Sequence, residues 1–348
     1  MAAQPPTLQD QTKLEDGTRE SSPFNVKEKV AIVTGAGSGI NLSFAALLLS
    51  RGCNVLIADL ALRPEAQVLV DQYTSHPTPH SHKPNGTKQE DTKPRAVFLT
   101  TDVTNWPQLE DMFTVALKEF GGVDIVCPGA GVYDPHWSNF WHPPGAPGGA
   151  SKDDPNGGRY ASLDINLTHP IRTTQLAISA FLNAPQEKGK ERGRTPKRVV
   201  LVSSIAGQMP NFNTPIYVAA KHAIHGFTRS LAPLDARLSI RVNAVAPGVI
   251  KTPLWTDHPE KLAHVDESKD EWATPEEVAE AMLRCLEDDE LPGGTILEVG
   301  KGQTRRVEAL NDPGPKGAGH TVSRIEEGWG EVFGWLGGEA WATAGERN

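Results

Sequence analysis

Tyr217 and Lys221 stand four residues apart in the stretch TPIYVAAKHAIHGF, residues 214–227. Thr214 is a candidate N-cap and Pro215 a candidate first-turn residue, so the tyrosine is expected at the start of a helix. Positions i and i+4 share a helix face, which sets the lysine ammonium beside the phenol. A neighbouring positive charge favours phenolate and draws the phenol toward working pH, where it can take up or return a proton. The spacing alone is common surface decoration. Whether the two residues work together depends on what the rest of the chain supplies.

A second stretch, TGAGSGIN at residues 34–41, has the pattern of a phosphate cradle. Gly35 allows a tight turn, Gly37 lets backbone approach a phosphate, and Gly39 permits close helix packing. Ser38 and Ile40 fall at the helix start, where free N–H groups and the positive dipole end would face a pyrophosphate. Asp59 ends the next apolar run, twenty residues beyond Gly39. A carboxylate there accepts hydrogen bonds from the adenosine ribose hydroxyls and repels the extra phosphate of NADP, so NAD is favoured over NADP. No Arg or Lys directly follows Gly35 or Asp59; Arg63 lies four residues on. Asp102, in TTDVT, is placed for the adenine amino group, although aspartate is also a common helix cap.

These residues need a scaffold, and the chain has the rhythm of one. Apolar runs at 29–35, 54–59, 96–102, 124–130, 198–204 and 240–248 read as buried strands. Between them lie helical patterns, at 40–52 (amphipathic), 105–120, 161–183 and 215–232. The alternation predicts an α/β fold: a single doubly wound parallel-sheet (Rossmann) domain with helices on both faces. It is expected to span 26–305, after a disordered tail over 1–25 and before a C-terminal extension, 306–348, that carries one short amphipathic helix. Loop insertions interrupt it at 75–94, 133–158 and 183–197. His76, His80 and His82 lie in the first on flexible spacing with no cysteine nearby, and read as surface loop, so no metal site is expected.

Composition narrows the classes. The chain has 348 residues, 34 Lys and Arg against 43 Asp and Glu, and a formal charge of −9. That balance disfavours nucleic acid as a partner, and the one basic run, 187–198, is mixed with Glu and Gly. Cys53, Cys127 and Cys285 are too scattered for a disulfide framework, and the N-terminus has no apolar signal core. No apolar run approaches the roughly 20 residues of a membrane span. A cytoplasmic protein is expected.

With the motifs in order, the chain resembles the short-chain dehydrogenase/reductase family over about residues 28–305. The carrying residues are Thr34, Gly35 and Gly37 to Ile40, then Asp102 and Val103, Asn166 in INLT, Ser204 in VSS, Tyr217 and Lys221 in YVAAK, and Ile250 and Thr252 in VNAVAPGVIKT. The resemblance implies NAD(P)-dependent exchange between an alcohol and a ketone, on Asn166, Ser204, Tyr217 and Lys221. Tyr217 would be the general acid/base, Ser204 a hydrogen-bond partner of the substrate oxygen, and Asn166 the holder of a water that links Lys221 to solvent. Ala130, Ile250 and Thr252 would join the cofactor site. Ser203 is the rival for Ser204, but the alternating pleat turns it to the other side. The family also implies a homodimer or homotetramer. Residues 274–308 are similar to the C-terminal part of NAD-dependent 15-hydroxyprostaglandin dehydrogenase-like members.

Departures from the pattern are few. Asn41 replaces the last glycine of the turn and is expected to crowd a helix–strand contact. Pro128 and Gly129 stand in CPGAG where the family has two asparagines. Pro233 should kink or end the Tyr–Lys helix. Substrate choice falls to loops beyond the strand carboxyl ends, at 133–158, 205–214 and 253–273. There Trp137, Trp141, Met209, Phe212 and Trp255 offer a lining for a large apolar secondary alcohol or ketone, lipid-like, steroid-like or a secondary metabolite. An NADPH-dependent ketoreductase is the alternative reading. A non-catalytic dinucleotide sensor is a distant third.

Overall fold

The computed structural model describes residues 23–74, 93–184, 195–257 and 271–309, with 330, 332–334 and 336–338 of the C-terminal extension. The apolar run Val30–Thr34 forms β1, buried at every position. Neighbouring side chains divide between two cores, as a pleat requires: Ala31 and Val33 enter one, Ile32 the other. Asn54–Asp59 (β2), Ala96–Thr100 (β3), Ile125–Cys127 (β4), Lys197–Val202 (β5), Ile240–Pro247 (β6) and Ile296–Gly300 (β7) extend the sheet in parallel, and Gln303–Arg306 (β8) closes the edge antiparallel. Strand order is β3-β2-β1-β4-β5-β6-β7-β8. The winding therefore reverses between β1 and β4, where doubly wound sheets open a crevice at their carboxyl ends.

Helices cover both faces. Gly39–Ser50 (α1), Pro64–Tyr73 (α2) and Pro275–Glu287 (α9) contribute Phe44, Leu48, Val70, Val278 and Met282 to the first core. Trp106–Phe120 (α3), His169–Leu182 (α5), Pro215–Ser230 (α6) and Pro233–Leu238 (α7) contribute Leu109, Met112, Leu176, Ile224 and Leu234 to the second. Two shorter helices, Ala161–Leu163 (α4) and Pro253–Thr256 (α8), sit at the crevice end.

Several boundaries differ from the sequence expectation. The expected helix over 161–183 is interrupted: α4 and α5 flank a π-turn, Asp164–Thr168. The helix over 215–232 stops at Ser230, and Pro233 opens α7 in place of extending α6. The α1 segment is apolar on more than one side, because α9 packs beside it on the same face of the sheet. Residues 23–25, inside the expected tail, are among those described. Phe24 is buried in the first core, and the Arg198 guanidinium lies 4.3 Å from its ring centroid. The loop at 133–158 is pinned: Ser138 is fully buried, donates to Asp153 at 2.7 Å and bonds Ser162 at 3.1 Å. Residues 75–92, with the three loop histidines, and 185–194 and 258–270 lie outside the described residues.

Candidate active site

β1 delivers the chain into the glycine turn, and the structure gives each glycine its own reason. Gly35 has φ +71°, and a Cβ on it would stand 2.6 Å from the Ala130 Cα, so β1 and β4 close together only around a bare backbone. A Cβ on Gly37 would lie 2.2 Å from the Ala61 carbonyl oxygen and 2.8 Å from an Asp59 carboxylate oxygen. Gly37 thus makes room for the turn after β2, and it does not line the crevice. Gly39 has φ +60° with Thr252 methyl and Cβ atoms no nearer than 3.5 Å, so backbone conformation and not packing calls for glycine there.

The Asp59 carboxylate is held by two backbone donors, Gly37 N–H at 2.8 Å and Leu60 N–H at 2.7 Å. Its position at the end of β2 is fixed before any ribose arrives. Asp102 caps the turn after β3: one oxygen accepts from the Thr104 N–H at 2.9 Å and hydroxyl at 2.8 Å. The Arg63 guanidinium pairs with Asp257, the residue closing α8.

A crevice of about 500 Å³ runs from these residues to the Tyr–Lys pair. Gly35, Ser38, Gly39, Ile40, Asp59, Asp102, Val103, Ala130, Asn166, Ser204, Tyr217, Lys221, Ile250 and Thr252 all line it, as do Met209 and Trp255. The structure does not bring Trp137, Trp141 or Phe212 into that lining. Trp141 instead stacks on Phe212 at 4.7 Å and donates its indole N–H to the Phe212 carbonyl at 3.0 Å, fastening one surface loop to another. Loop residue type was readable in the sequence; side-chain direction was not.

At the far end of the crevice, Tyr217 and Lys221 lie on one face of α6, with the ammonium 5.3 Å from the phenol ring centroid. The Lys221 ammonium is buried and donates to the Val202 carbonyl at 2.8 Å. Its desolvation brings its pKa down to about 8. Desolvation pushes the Tyr217 phenol up to about 12; the Ser204 hydroxyl hydrogen-bonded to it acts in the opposite direction. The protein's own groups therefore keep Tyr217 protonated, with burial outweighing the neighbouring hydroxyl. Ser204 caps a short 3₁₀ turn, accepting from Ala206 N–H at 3.2 Å and donating to the Pro247 carbonyl at 3.4 Å. Ser203 donates to the Lys221 carbonyl at 3.3 Å, which commits it to α6.

Asn166 sits in the π-turn with both ends of its amide bonded to one residue. Its Nδ2 donates to the Val132 carbonyl at 2.8 Å, and its Oδ1 accepts from Val132 N–H at 2.9 Å. The side chain clamps the segment after β4; a water held at this point would lie against its backbone. Behind the clamp, fully buried His169 bonds the Ile165 carbonyl through Nδ1 at 3.1 Å and Thr34 Oγ1 through Nε2 at 3.1 Å. The carbonyl only accepts, so Nδ1 carries the proton and the Thr34 hydroxyl donates to Nε2. Thr34 Oγ1 in turn accepts from Ala130 N–H at 3.1 Å, locking β1 to the segment after β4.

Sequence reasoning missed one wall residue of consequence. Tyr133 packs edge-on against Tyr217, centroids 4.9 Å apart, and lies 5.3 Å from Trp255. Burial raises its phenol pKa. Its signal was positional: it follows the Ala-Gly segment at the carboxyl end of β4.

The glycine turn, the fixed Asp59 and the open N-terminus of α1 fit a dinucleotide, and the paired Tyr217 and Lys221 lie where its reactive end would reach. Residues 29–263 match the family model described as short chain dehydrogenase, and the chain belongs to that family. It is an NAD(P)-dependent oxidoreductase acting on CH–OH groups. It is 30% identical over 292 residues to 15-hydroxyprostaglandin dehydrogenase [NAD(+)] of Mus musculus, covering 79% of this chain and 91% of that one. It is also 30% identical over 239 residues to the hydroxynaphthalene reductase-like protein Arp2 of Metarhizium robertsii, covering 68% and 73%. A crystal structure of a short-chain type dehydrogenase/reductase from Mycobacterium marinum shares the fold, with a TM-score of 0.61, 22% identity, and coverage of 80% and 96%.

Proposed function

We propose that this protein is an NAD-dependent dehydrogenase that interconverts a secondary alcohol and a ketone on a large, apolar substrate, with Tyr217 as general acid/base. The carrying observation is the convergence of Ser204, Tyr217 and Lys221 at one end of a crevice whose other end holds Asp59. The nicotinamide, when bound, accepts or returns the hydride. Tyr217 takes the hydroxyl proton of the alcohol during oxidation and gives it back to the carbonyl oxygen during reduction. Ser204, already hydrogen-bonded to the phenol, holds the same substrate oxygen in line. Lys221 places a buried positive charge beside the phenol and so stabilises the phenolate as it forms. Asn166 keeps the segment after β4 in register, and Tyr133, Met209 and Trp255 supply an apolar wall and exclude water.

Asp59 favours NAD because its carboxylate, fixed by two N–H donors, meets ribose hydroxyls and repels a 2′-phosphate. Arg63, the cation nearest in sequence, is occupied by Asp257. The relative named for NAD(+) agrees with this preference. A relative named as a reductase keeps the NADPH ketoreductase as the competing reading.

Titration with NADH and with NADPH, followed by energy transfer from tryptophan to the reduced nicotinamide, tests the reading. Preference for NADH is expected, together with Tyr217→Phe binding NADH normally while losing at least about a hundredfold in turnover of secondary alcohols. Preference for NADPH would overturn the ribose assignment. Full turnover by Tyr217→Phe would overturn the acid/base assignment.

A further inference from the structure

Two departures from the family pattern meet in space. Asn41 stands in the first turn of α1 where the pattern has glycine, and Gly129 stands after β4 where the pattern has asparagine. A Cβ built on Gly129 would lie 2.3 Å from Asn41 Oδ1, 2.6 Å from its Cγ and 2.7 Å from its Nδ2. The Asn41 amide thus fills the volume that a side chain at 129 would need. The crowding expected from Asn41 is relieved by the exchange at 129.

The amide also has a direction. Asn41 is only 8% exposed, yet it lines the crevice beside Gly39 and Ile40. Its Oδ1 faces the Cys127 thiol, with 4.0 Å between Sγ and Oδ1. A thiol is a donor, so the oxygen belongs on that side and the NH₂ group on the other. Among the described residues the only hydrogen bond of the Asn41 side chain is this one to the thiol, which leaves both N–H donors of Nδ2 for a ligand. Few buried side-chain donors in a finished site stay unpaired, since an unmet donor costs free energy.

We propose that Asn41 is a cofactor-binding residue that donates from Nδ2 to an oxygen of the phosphate–ribose link on the nicotinamide side of the dinucleotide, and that Gly129 is its obligate spatial partner. The inference rests on the dinucleotide reading above and adds to it a side-chain contact that glycine at 41 cannot make.

The test is a cycle of Asn41→Ala, Gly129→Ala and the double variant, with thermal unfolding measured without ligand and binding measured for NADH, ADP-ribose and AMP. Asn41→Ala is expected to weaken NADH and ADP-ribose about three- to tenfold, the value of one neutral hydrogen bond, and to leave AMP unchanged. Gly129→Ala is expected to do the same, because its methyl displaces the amide. The double variant is expected to bind no more weakly than Asn41→Ala alone, as coupled sites do. Asn41→Gly serves as a second probe, with the same expected loss, should the alanine variant fold poorly. Wild-type affinity in the Asn41 variants, fully additive losses, or an equal loss of AMP would each overturn the proposal. Wild-type protein that binds no NADH would instead overturn the dinucleotide reading, and this inference with it.

Discussion

At the residue scale, the two members of the working pair are pushed in opposite directions by the same burial. Lys221 sits at about 8 and Tyr217 at about 12. Reduction of a ketone needs the phenol protonated, which the protein alone ensures. Oxidation of an alcohol needs the phenol to release its proton, and rising pH helps. Alcohol oxidation is therefore expected to climb from pH 6 to about 8 and to level off above it, as Lys221 gives up the charge that stabilises the phenolate, while ketone reduction does not climb, as steady-state rates in both directions would show. An oxidation rate that falls across that range would remove Tyr217 as the base. His169 makes a separate, structural prediction. Burial brings its pKa down from 6.5 to about 4, with Lys221 contributing in the same direction. The unfolded chain therefore takes up a proton here that the folded one refuses. Stability is complete above pH 6.5 and falls as pH drops toward 4, by about 3 kcal/mol for this one group. Denaturant unfolding of His169→Gln should show a flatter acid limb than the wild type. Nothing in sequence spacing announced this histidine, because its role depends on Thr34 at the end of β1, which links it to the Ala130 N–H in the segment after β4. The Tyr217–Lys221 pair, by contrast, lies within one helical turn, and it was legible once Asn166, Ser204 and the glycine turn stood in order beside it.

At the scale of elements, helix α9 bears on the site indirectly, since it packs against α1, whose first turn faces the crevice. Its start is secured by a capping box: Thr274 Oγ1 accepts from Glu277 N–H at 3.1 Å, and the Glu277 carboxylate accepts from Thr274 N–H at 2.7 Å. Thr274→Ala is expected to cost about 1 kcal/mol of stability and to leave the NADH dissociation constant unchanged, as paired unfolding and binding titrations would show. The strands β1, β2, β5 and β6 were legible because long, fully buried runs stand out from their surroundings. Elements α2, α8, α9, β7 and β8 were not read. The β8 segment QTRR is exposed at every position and holds its place through pairing with β7, a tertiary fact with no apolar pattern. The π-turn was equally hidden, because the residues on both sides of it are helical and only the Asn166 clamp shows why the register widens there.

At the scale of the whole molecule, the described residues contain no helix long and apolar enough to cross a membrane. Trp106 and Leu117 on α3 and Ile171 on α5 are exposed, and the reading of a homodimer or homotetramer is tested by sedimentation, where a monomer would overturn it. The C-terminal extension has a different task. Phe333 and Leu336 pack against the second core, alongside Phe227 and Leu231 at the C-terminal end of α6, and the Arg237 guanidinium lies 4.8 Å from the Phe333 ring centroid. Arg229 adds a tie, donating to the Glu308 carbonyl at 3.2 Å. Phe333 thus lies against α7, and Arg229 ties residue 308 to the last turn of α6. Removing a half-buried ring there should weaken the fold by about 1–2 kcal/mol without touching the reacting groups. Phe333→Ala is accordingly expected to lower the denaturant midpoint while kcat and the NADH dissociation constant stay at wild-type values at low temperature. If kcat fell with the midpoint unchanged, the extension would have to be acting on the crevice itself, and α6 would be the element through which it did so.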